Sequence, residues 1–564
     1  MFEQRKGSAA CKRLFSYGNQ NIKRLAILAS SCLLLFLILR QFPLTSERAS
    51  GLFASIDKCK SFPLGDLNCF SVTRNSSEAI SNEKQEDVGK ERKDVSVDVT
   101  KHEDVGEKRK DVSVDVAKYD SCHGKYIYMH NLPIQFNDYF IKNCKDMCCP
   151  FTFMCEYFSN LGLGSEIRNK KVLTKTGWFD TNQFALELIF HNRMKNYKCL
   201  THNSSLASAI YVPFYAGLDI GRYLWNFNTS IRDTNTFQLI KWLRQQPEWK
   251  YMFGKDHFLV LGRISWDFVR HDDVDSAWGN KLMILPESKN MTFLSIESTA
   301  FTRNDFAIPY PTFFHPSRDK EVFDWQNRMR RLERKNLFCF AGAPRPESKD
   351  SVRGEIIEQC QASRANCKLL DCDWRPNSDC YNPAKIMKLF ESSNFCLQPP
   401  GDSYTRKSTF DSIVAGCIPV FFHPGSAYIQ YIWHLPKNYS KYSVYIPEYL
   451  VREKNVSIEK VLLGISEKEV SRMREEVVRL IPKVIYSNPA SRLETVEDAF
   501  DKAVKGVVER VEKRRRESRE GKDSSMDFPE GASWKYYLTG TTGKHEWDRF
   551  FYPAAAAETS SSMS

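Results

Sequence analysis

The stretch NFCLQPPGDSYTRKSTFDSIVAGCIPVFF, Asn394 to Phe422, carries the residue types of an anion site. A hydrophobic strand runs into Pro399-Pro400-Gly401-Asp402, and a helix opens near Tyr404–Thr405. Gly401 lets backbone approach a ligand, and the free N–H groups of a first helical turn attract negative charge. Arg406 and Lys407 put two cations at that end, where they oppose the helix dipole unless an anion lies beside them. A diphosphate would be such an anion. Asp411 lies one to two turns further on and could accept hydrogen bonds from two vicinal ribose hydroxyls. At i, i+4 from Lys407 it could equally pair with that cation. The segment contains neither G-x-x-x-x-G-K-[ST] nor G-x-G-x-x-G, which argues against a P-loop and against dinucleotide redox chemistry.

Strands and helices in alternation must hold this loop. Lys125–Pro133 reads as a first buried strand and turn, and Asp180 to Tyr197 has helical spacing. Ser208–Tyr215 and His257–Ile264 read as short buried strands, with a helix over Phe237–Leu243. After the charged stretch Arg328–Lys335 a second series begins. Its strands are Leu337–Ala343, Cys367–Cys372, Asn394–Gln398 and Ile418–Phe422. Its helices are Val352–Cys360, Pro383–Phe390 and Thr405–Ala415, with closing helices over Ser466–Leu480 and Leu493–Val511. The pattern predicts two α/β units in tandem with largely parallel sheets and a cleft between them. Ligands in such sheets sit beyond the carboxyl ends of strands, where the Gly401 loop lies.

The run NFCLQPPGDSYTRKSTFDSIVAGCIPVFFHPGSAYIQYIWHLP closely resembles the nucleotide-sugar motif of plant exostosin-like glycosyltransferases (glycosyltransferase family 47). Its wording is that of the subgroup adding a sugar to xyloglucan side chains. CHGKYIYMHNLPIQFN (Cys122–Asn137) resembles that subgroup's opening strand, and GRISWDFVR (Gly262–Arg270) a central motif. The resemblance spans Cys122 to about residue 515. It implies a two-domain GT-B fold with two Rossmann-like domains, residence in the Golgi membrane, and inverting transfer from a UDP-sugar bound by the C-terminal half. Carried over by motif, the donor-site candidates are Gly401, Asp402, Arg406, Lys407, Ser408 and Asp411. The donor implied is UDP-galactose and the acceptor a xylosyl branch of xyloglucan, with other Golgi glycosyltransferases as partners. A UDP-galacturonic acid enzyme would share these motifs, and a non-catalytic lumenal scaffold of a synthase complex is the reading from another class.

Inversion at an anomeric carbon needs a base for the acceptor hydroxyl and stabilisation of the leaving diphosphate. Arg406, Lys407 and the helix start suit the second task. Asp267 and His271 in SWDFVRHDD, and Asp219 in AGLDIGRYL, follow predicted strands and are the base candidates. Trp225, Trp266 and Trp278 could stack on acceptor sugars, or be core. Two D-x-D triplets, Asp273-Val274-Asp275 and Asp371-Cys372-Asp373, read as solvated turns, because the family reading calls for no essential metal. Cys144, Cys148 and Cys149, and the Cys360/Cys367/Cys372/Cys380 group, lack a His at ligand spacing and are expected to form disulfides.

Charge and composition set the surroundings. Aromatic residues are 13% of the 564, ample for sizeable cores. The net charge of +12 gathers largely at Arg5 to Arg24 and Lys502 to Lys522, without a nucleic-acid motif. Leu25 to Leu39 carries no charge and follows six basic residues. The expectation is an uncleaved anchor over 25–44, a cytosolic tail over 1–24, and the rest in the lumen. A stem over 45–121 repeats a 17-residue charged unit, Glu86–His102 and Glu103–Tyr119, too poor in apolar residues to fold on a core and therefore expected to be disordered. Beyond it come an acceptor-side domain (122–330), a nucleotide-sugar domain (331–515) and a mobile tail (516–564). Sequons at Asn75, Asn203, Asn228, Asn290, Asn438 and Asn455 all lie past the anchor, as do fifteen of the 17 cysteines.

Overall fold

Near-continuous apolar runs such as HFLVLGRI suit strands buried on both faces, and the computed structural model builds two parallel sheets from them. It describes residues 120–521 apart from 147–153, 170, 226, 300, 301, 303, 349, 350 and 373–377. The expected tail, anchor and stem, most of the C-terminal tail, Asn75, Cys148, Cys149 and Asp373 lie outside the described residues. Among those described, no helix is long and apolar enough to cross a membrane.

The first sheet has the order β2-β1-β3-β4-β5-β6. Its strands are β1 (Tyr126–Met129), β2 (Leu200–Thr201), β3 (Ala207–Tyr211), β4 (His257–Ile264), β5 (Thr292–Glu297) and β6 (Asp305–Ala307). The second has the order β11-β10-β9-β7-β8. It comprises β7 (Asn336–Gly342), β8 (Cys367–Asp371), β9 (Ser393–Gln398), β10 (Ile418–Phe421) and β11 (Val444–Tyr445). All pairings are parallel. In each sheet the chain reverses its direction of travel after two strands, at β1/β3 and at β7/β9, and crevices for ligands open at such reversals. Phe258, Leu259, Val260 and Leu261 of β4 are all but inaccessible, and burying each is worth about 1.5–3 kcal/mol.

Among the described residues, nine helices of eight residues or more flank the sheets. They are α1 (Leu186–Lys195), α2 (Ala216–Tyr223), α3 (Thr229–Gln245), α4 (Asp319–Arg331), α5 (Arg353–Ala362), α6 (Pro383–Glu391), α7 (Lys407–Val414), α8 (Glu467–Val484) and α9 (Ala499–Arg519). The spacing predicts only the end of α3; its true start is set by Asn228, whose side chain accepts from the Ile231 N–H. The stretch Arg328–Lys335, expected to separate the domains, begins inside α4, whose apolar face buries Val322, Trp325 and Met329.

The described residues fall within one compact unit, so the halves can be related. Their boundary is not the clean break at 330/331 that the sequence suggests. Trp325 of α4 packs on Trp178 and Phe314 of the first half and donates to the Val414 carbonyl of the second. Helix α9, expected to close the second half, returns to the first. Arg514 donates to the carbonyls of Lys255 and Asn290, and Phe500 packs on Phe190.

Among the described residues there are five disulfides: Cys122–Cys199, Cys144–Cys155, Cys360–Cys367, Cys372–Cys380 and Cys396–Cys417. Cys339 is a buried free thiol beside the last of these. The cluster Cys339/Cys396/Cys417 has metal-like proximity, but two of its sulfurs are bonded to each other.

Candidate active site

The segments that follow β3, β4 and β9 converge on a cavity of about 300 Å³ between the two halves. From the first half it is lined by Arg222, Trp225, Arg263, Trp266, Asp267 and Trp278, with Gly217 and Gly221 of α2 among its other walls. The second half contributes Asp402, Ser403, Thr405 and Arg406.

Glu187, at the start of α1, shapes the first wall. Its carboxylate accepts from the N–H groups of Gly217 at 2.6 Å, Leu218 at 3.3 Å and Gly262 at 3.0 Å, fixing the start of α2 against the end of β4. Burial pushes this carboxyl up to about 8, against those three bonds and the charge of Arg263. A side chain at Gly262 would meet the Phe184 carbonyl and Glu187 itself, so the close approach needs glycine.

Beyond β4 a single 3-10 turn, Ser265–Phe268, aims Asp267 at the cavity. One carboxylate oxygen accepts from Arg263 Nε at 2.5 Å, the other from Trp278 Nε1 at 2.6 Å. A carboxylate has about four lone-pair sites, so a further hydroxyl can still donate to it.

The opposite wall is the loop between β9 and α7. Arg406 is its N-cap residue, and its side chain folds back over Gly401, where any Cβ would collide with the guanidinium. Arg406 Nη1 donates to the Thr405 carbonyl at 2.6 Å, while Nη2 is buried with no hydrogen-bond partner among the described residues. Two further arginines stand behind it. Arg345, after β7, grips Asp402 with both Nη groups, at 2.5 and 3.1 Å. Arg353, at the start of α5, donates to the Pro400 carbonyl at 2.9 Å. Burial, followed by the neighbouring Arg406 and Arg345 cations, pulls the Arg353 pKa down to about 9, with Asp402 opposing. Three guanidinium groups thus gather at this loop, with Asp402, Glu347 and Glu297 as the carboxylates nearest to them.

Across the cleft, Glu297 at the end of β5 accepts from both the N–H and the hydroxyl of Thr405, at 2.8 and 2.5 Å. Its neighbours make parallel contacts. The Tyr431 hydroxyl donates to the Ile296 carbonyl, and Gln430 exchanges hydrogen bonds with Ser298. Three consecutive residues therefore fix the two halves together at the edge of the site.

The structure thus brings Asp267, Asp402 and Arg406 to the cavity, with Trp225, Trp266 and Trp278. The remaining candidates lie elsewhere. Lys407 donates to both oxygens of Asp411, at 3.1 and 2.8 Å, and its ammonium sits 3.0 Å from the Phe313 ring centroid. Asp411 is buried in that pair, its carboxyl raised by burial against the pull of Lys407, so the ribose geometry expected of it is not built here. The Ser408 hydroxyl donates to Gln398 at 2.6 Å, and Gly401 accommodates Arg406 without itself lining the cavity. Asp219 turns away to Asn235 on α3, and His271 is exposed outside the cavity. Asp273 pairs with Lys281, and Asp275 accepts from the Thr229 N–H, so that D-x-D serves a turn. Arg345, Arg353 and Glu297 escape a motif reading because separate strands deliver them. Arg345, just past the Leu337–Ala343 strand, could have been found from its place at the reversal of the sheet.

Asn203, Asn228, Asn438 and Asn455 are exposed, while Asn290 is half-buried and its sequon partner Thr292 lies inside β5.

Two parallel sheets joined across such a cleft are the framework of a parallel-sheet α/β glycosyltransferase. The chain matches the Exostosin GT47 domain over residues 121–462 and belongs to that family. It is 55% identical over 448 residues to the xyloglucan galactosyltransferase MUR3 of Arabidopsis thaliana, spanning 78% of this chain and 72% of that protein. To the probable xyloglucan galactosyltransferase GT12 of the same plant it is 55% identical over 416 residues, 72% of this chain and 81% of the relative. The xyloglucan-specific galacturonosyltransferase 1 of Arabidopsis thaliana is 40% identical over 395 residues, 70% of this chain and 58% of that one.

Proposed function

We propose that this protein transfers galactose from UDP-galactose, with inversion, to the xylosyl side chains of xyloglucan. The carrying observation is the buried, unpartnered Nη2 of Arg406 at the cavity wall, backed by Arg345 and Arg353. A diphosphate laid there meets Arg406 and the start of α7, with the charges of Arg345 and Arg353 behind them, and the charge that develops as UDP leaves is stabilised without reorganisation. Asp267 faces that loop across the cavity and takes the proton of the acceptor hydroxyl. The acceptor oxygen then bonds to the anomeric carbon from the face opposite the diphosphate, the bond from that carbon to the diphosphate oxygen breaks, and UDP departs. On this reading the cations do the work a metal does in other transferases.

The same reading assigns the two halves to the GT-B class and the protein to the Golgi membrane, anchored once, with its catalytic part in the lumen. The five disulfides and the exposed sequons support a lumenal position.

The test offers galactose-free xyloglucan to the full chain with UDP-galactose and UDP-galacturonic acid in parallel, with products read by mass. A hexose increment lost in Arg406→Ala is the expected result. A uronic-acid increment keeps the mechanism and changes the donor. No product with either, from protein that still binds UDP, replaces the proposal with a non-catalytic role in a synthase complex.

A further inference from the structure

An aromatic surface continues out of the cavity on the first half. Trp266 stands at its wall with 65% of its surface exposed, although a large aromatic normally contributes most when buried. Arg222 lines the same cavity, and its guanidinium lies over two rings, Tyr139 at 5.8 Å and Tyr223 at 5.2 Å. Tyr223 in turn meets Phe227 edge-on at 5.1 Å. Tyr139 and Phe227 are 36% and 42% exposed. Singly exposed aromatics need no explanation, but a contacting group of them around an arginine that lines a binding cavity does.

The acceptor supplies one. A cavity of about 300 Å³ is at the lower end of the roughly 300–1,000 Å³ typical of small-molecule sites. It has to admit the sugar of the donor and the sugar being modified, so the backbone of a branched glucan must lie outside it. Pyranose rings present flat C–H faces that stack on aromatic rings, with hydroxyl edges that accept hydrogen bonds from a guanidinium. Tyr139, Arg222, Tyr223 and Phe227 offer that alternation.

We propose that this surface is an extended acceptor subsite that holds the neutral glucan backbone of the polysaccharide while one branch enters the cavity. The inference rests on the proposed acceptor and adds to it a preference for polymer over short oligosaccharide. Trp266 supports the rings at the mouth, and the Tyr223–Phe227 pair supports those further along.

The experiment uses the full chain in detergent, deglycosylated so that no glycan on Asn228 stands beside Phe227. Its migration is followed by affinity electrophoresis through gels containing galactose-free xyloglucan, and transfer kinetics are measured on that polymer and on a single-repeat oligosaccharide. Phe227→Ala and Tyr139→Ala are expected to weaken retardation and to raise KM for the polymer about ten-fold, equivalent to about 1.4 kcal/mol. KM for the oligosaccharide should stay within about two-fold, and Phe227→Tyr should restore retardation. Equal retardation of wild type and both variants, or none by wild type, overturns the subsite. Because retardation is read without donor, a failure of galactose transfer counts against the proposed activity and leaves this result standing on its own.

Discussion

Glu297 and Thr405 face each other across the cleft, and the carboxylate of the first accepts both hydrogen atoms the second can donate. Burial raises the Glu297 carboxyl, with the Thr405 bonds, Ser403 and Arg406 acting against it. The loop between β9 and α7 is therefore held by a residue of the opposite half, and the position of Arg406 depends on a strand to which it does not belong.

Substituting Glu297→Ala should leave a buried N–H and hydroxyl without an acceptor, each worth about 1–3 kcal/mol. The expected kinetic signature is a KM for UDP-galactose raised at least ten-fold, with Glu297→Gln intermediate. Initial rates over a range of donor concentrations decide it. An unchanged donor KM would detach the loop from this contact.

Arg345 is expected to act on the donor through Asp402 and through its own charge. Removal of one cation from a diphosphate site weakens charge-assisted bonds worth about 1.5–3 kcal/mol, so Arg345→Ala should weaken UDP binding ten-fold or more. Calorimetric titration with UDP alone tests this apart from catalysis. Affinity equal to wild type would remove Arg345 from the site.

For Asp267, the proposed base, Asp267→Asn keeps the shape and removes the basicity. A loss of 10²–10⁴-fold in kcat, with donor KM little changed, is the expectation for a general base. A variant retaining most of its kcat would assign Asp267 to the support of Arg263 and Trp278 instead.

Asp219 gives a pH signature. Burial pushes its carboxyl up to about 7, against its Asn235 bond and the charge of Arg222, and Oδ2 is buried without a hydrogen-bond partner among the described residues. A raised pKa means that the native state keeps a proton the unfolded chain has shed. Its contribution is complete below about pH 4 and is lost as pH rises through about 7, by at most about 4 kcal/mol. Asp219→Asn is neutral throughout, so its thermal unfolding should vary less between pH 5 and 8 than that of wild type. Parallel pH profiles would refute the assignment.

The local features of the site are legible in the chain. Gly401, Arg406 and the start of α7 lie where the strand–turn–helix spacing predicts, because β9 and α7 are adjacent in sequence. Even the pairing of Asp411 with Lys407 is written in their i, i+4 separation. What spacing does not carry is the assembly of distant strands. Arg353 and Glu297 reach the same loop from α5 and β5, and nothing in GDSYTRKSTFD points to either. Strand β5 itself passes unread although Pro286, Ser288 and Asn290 mark its start as Gly254 and Asp256 mark that of HFLVLGRI. The return of α9 to the first half is hidden for the same reason: a helix's apolar face shows that it packs, and not on what.

That return is anchored by a buried ion pair. Arg193 of α1 and Asp498, the N-cap of α9, lie 3.2 Å apart, and both side chains are at most 1% exposed. Asp498→Ala would leave the guanidinium only the longer contact to Asp501, at 3.7 Å, and is expected to cost up to about 3–5 kcal/mol. Denaturant unfolding should show a correspondingly lower midpoint, whereas a shift below about 1 kcal/mol would mean that Asp501 takes over the pairing.

The position of α9 also bears on how the chain is made. Domains generally fold as they leave the ribosome, the N-terminal one first. Here the first sheet has α1, α2 and α3 early but lacks one of its packing helices until residues 499–519 have been synthesised, after the whole of the second half. The first half must therefore stay partly uncovered until the second half has been made, so that the order in which its packing is completed differs from the order in which its strands emerge.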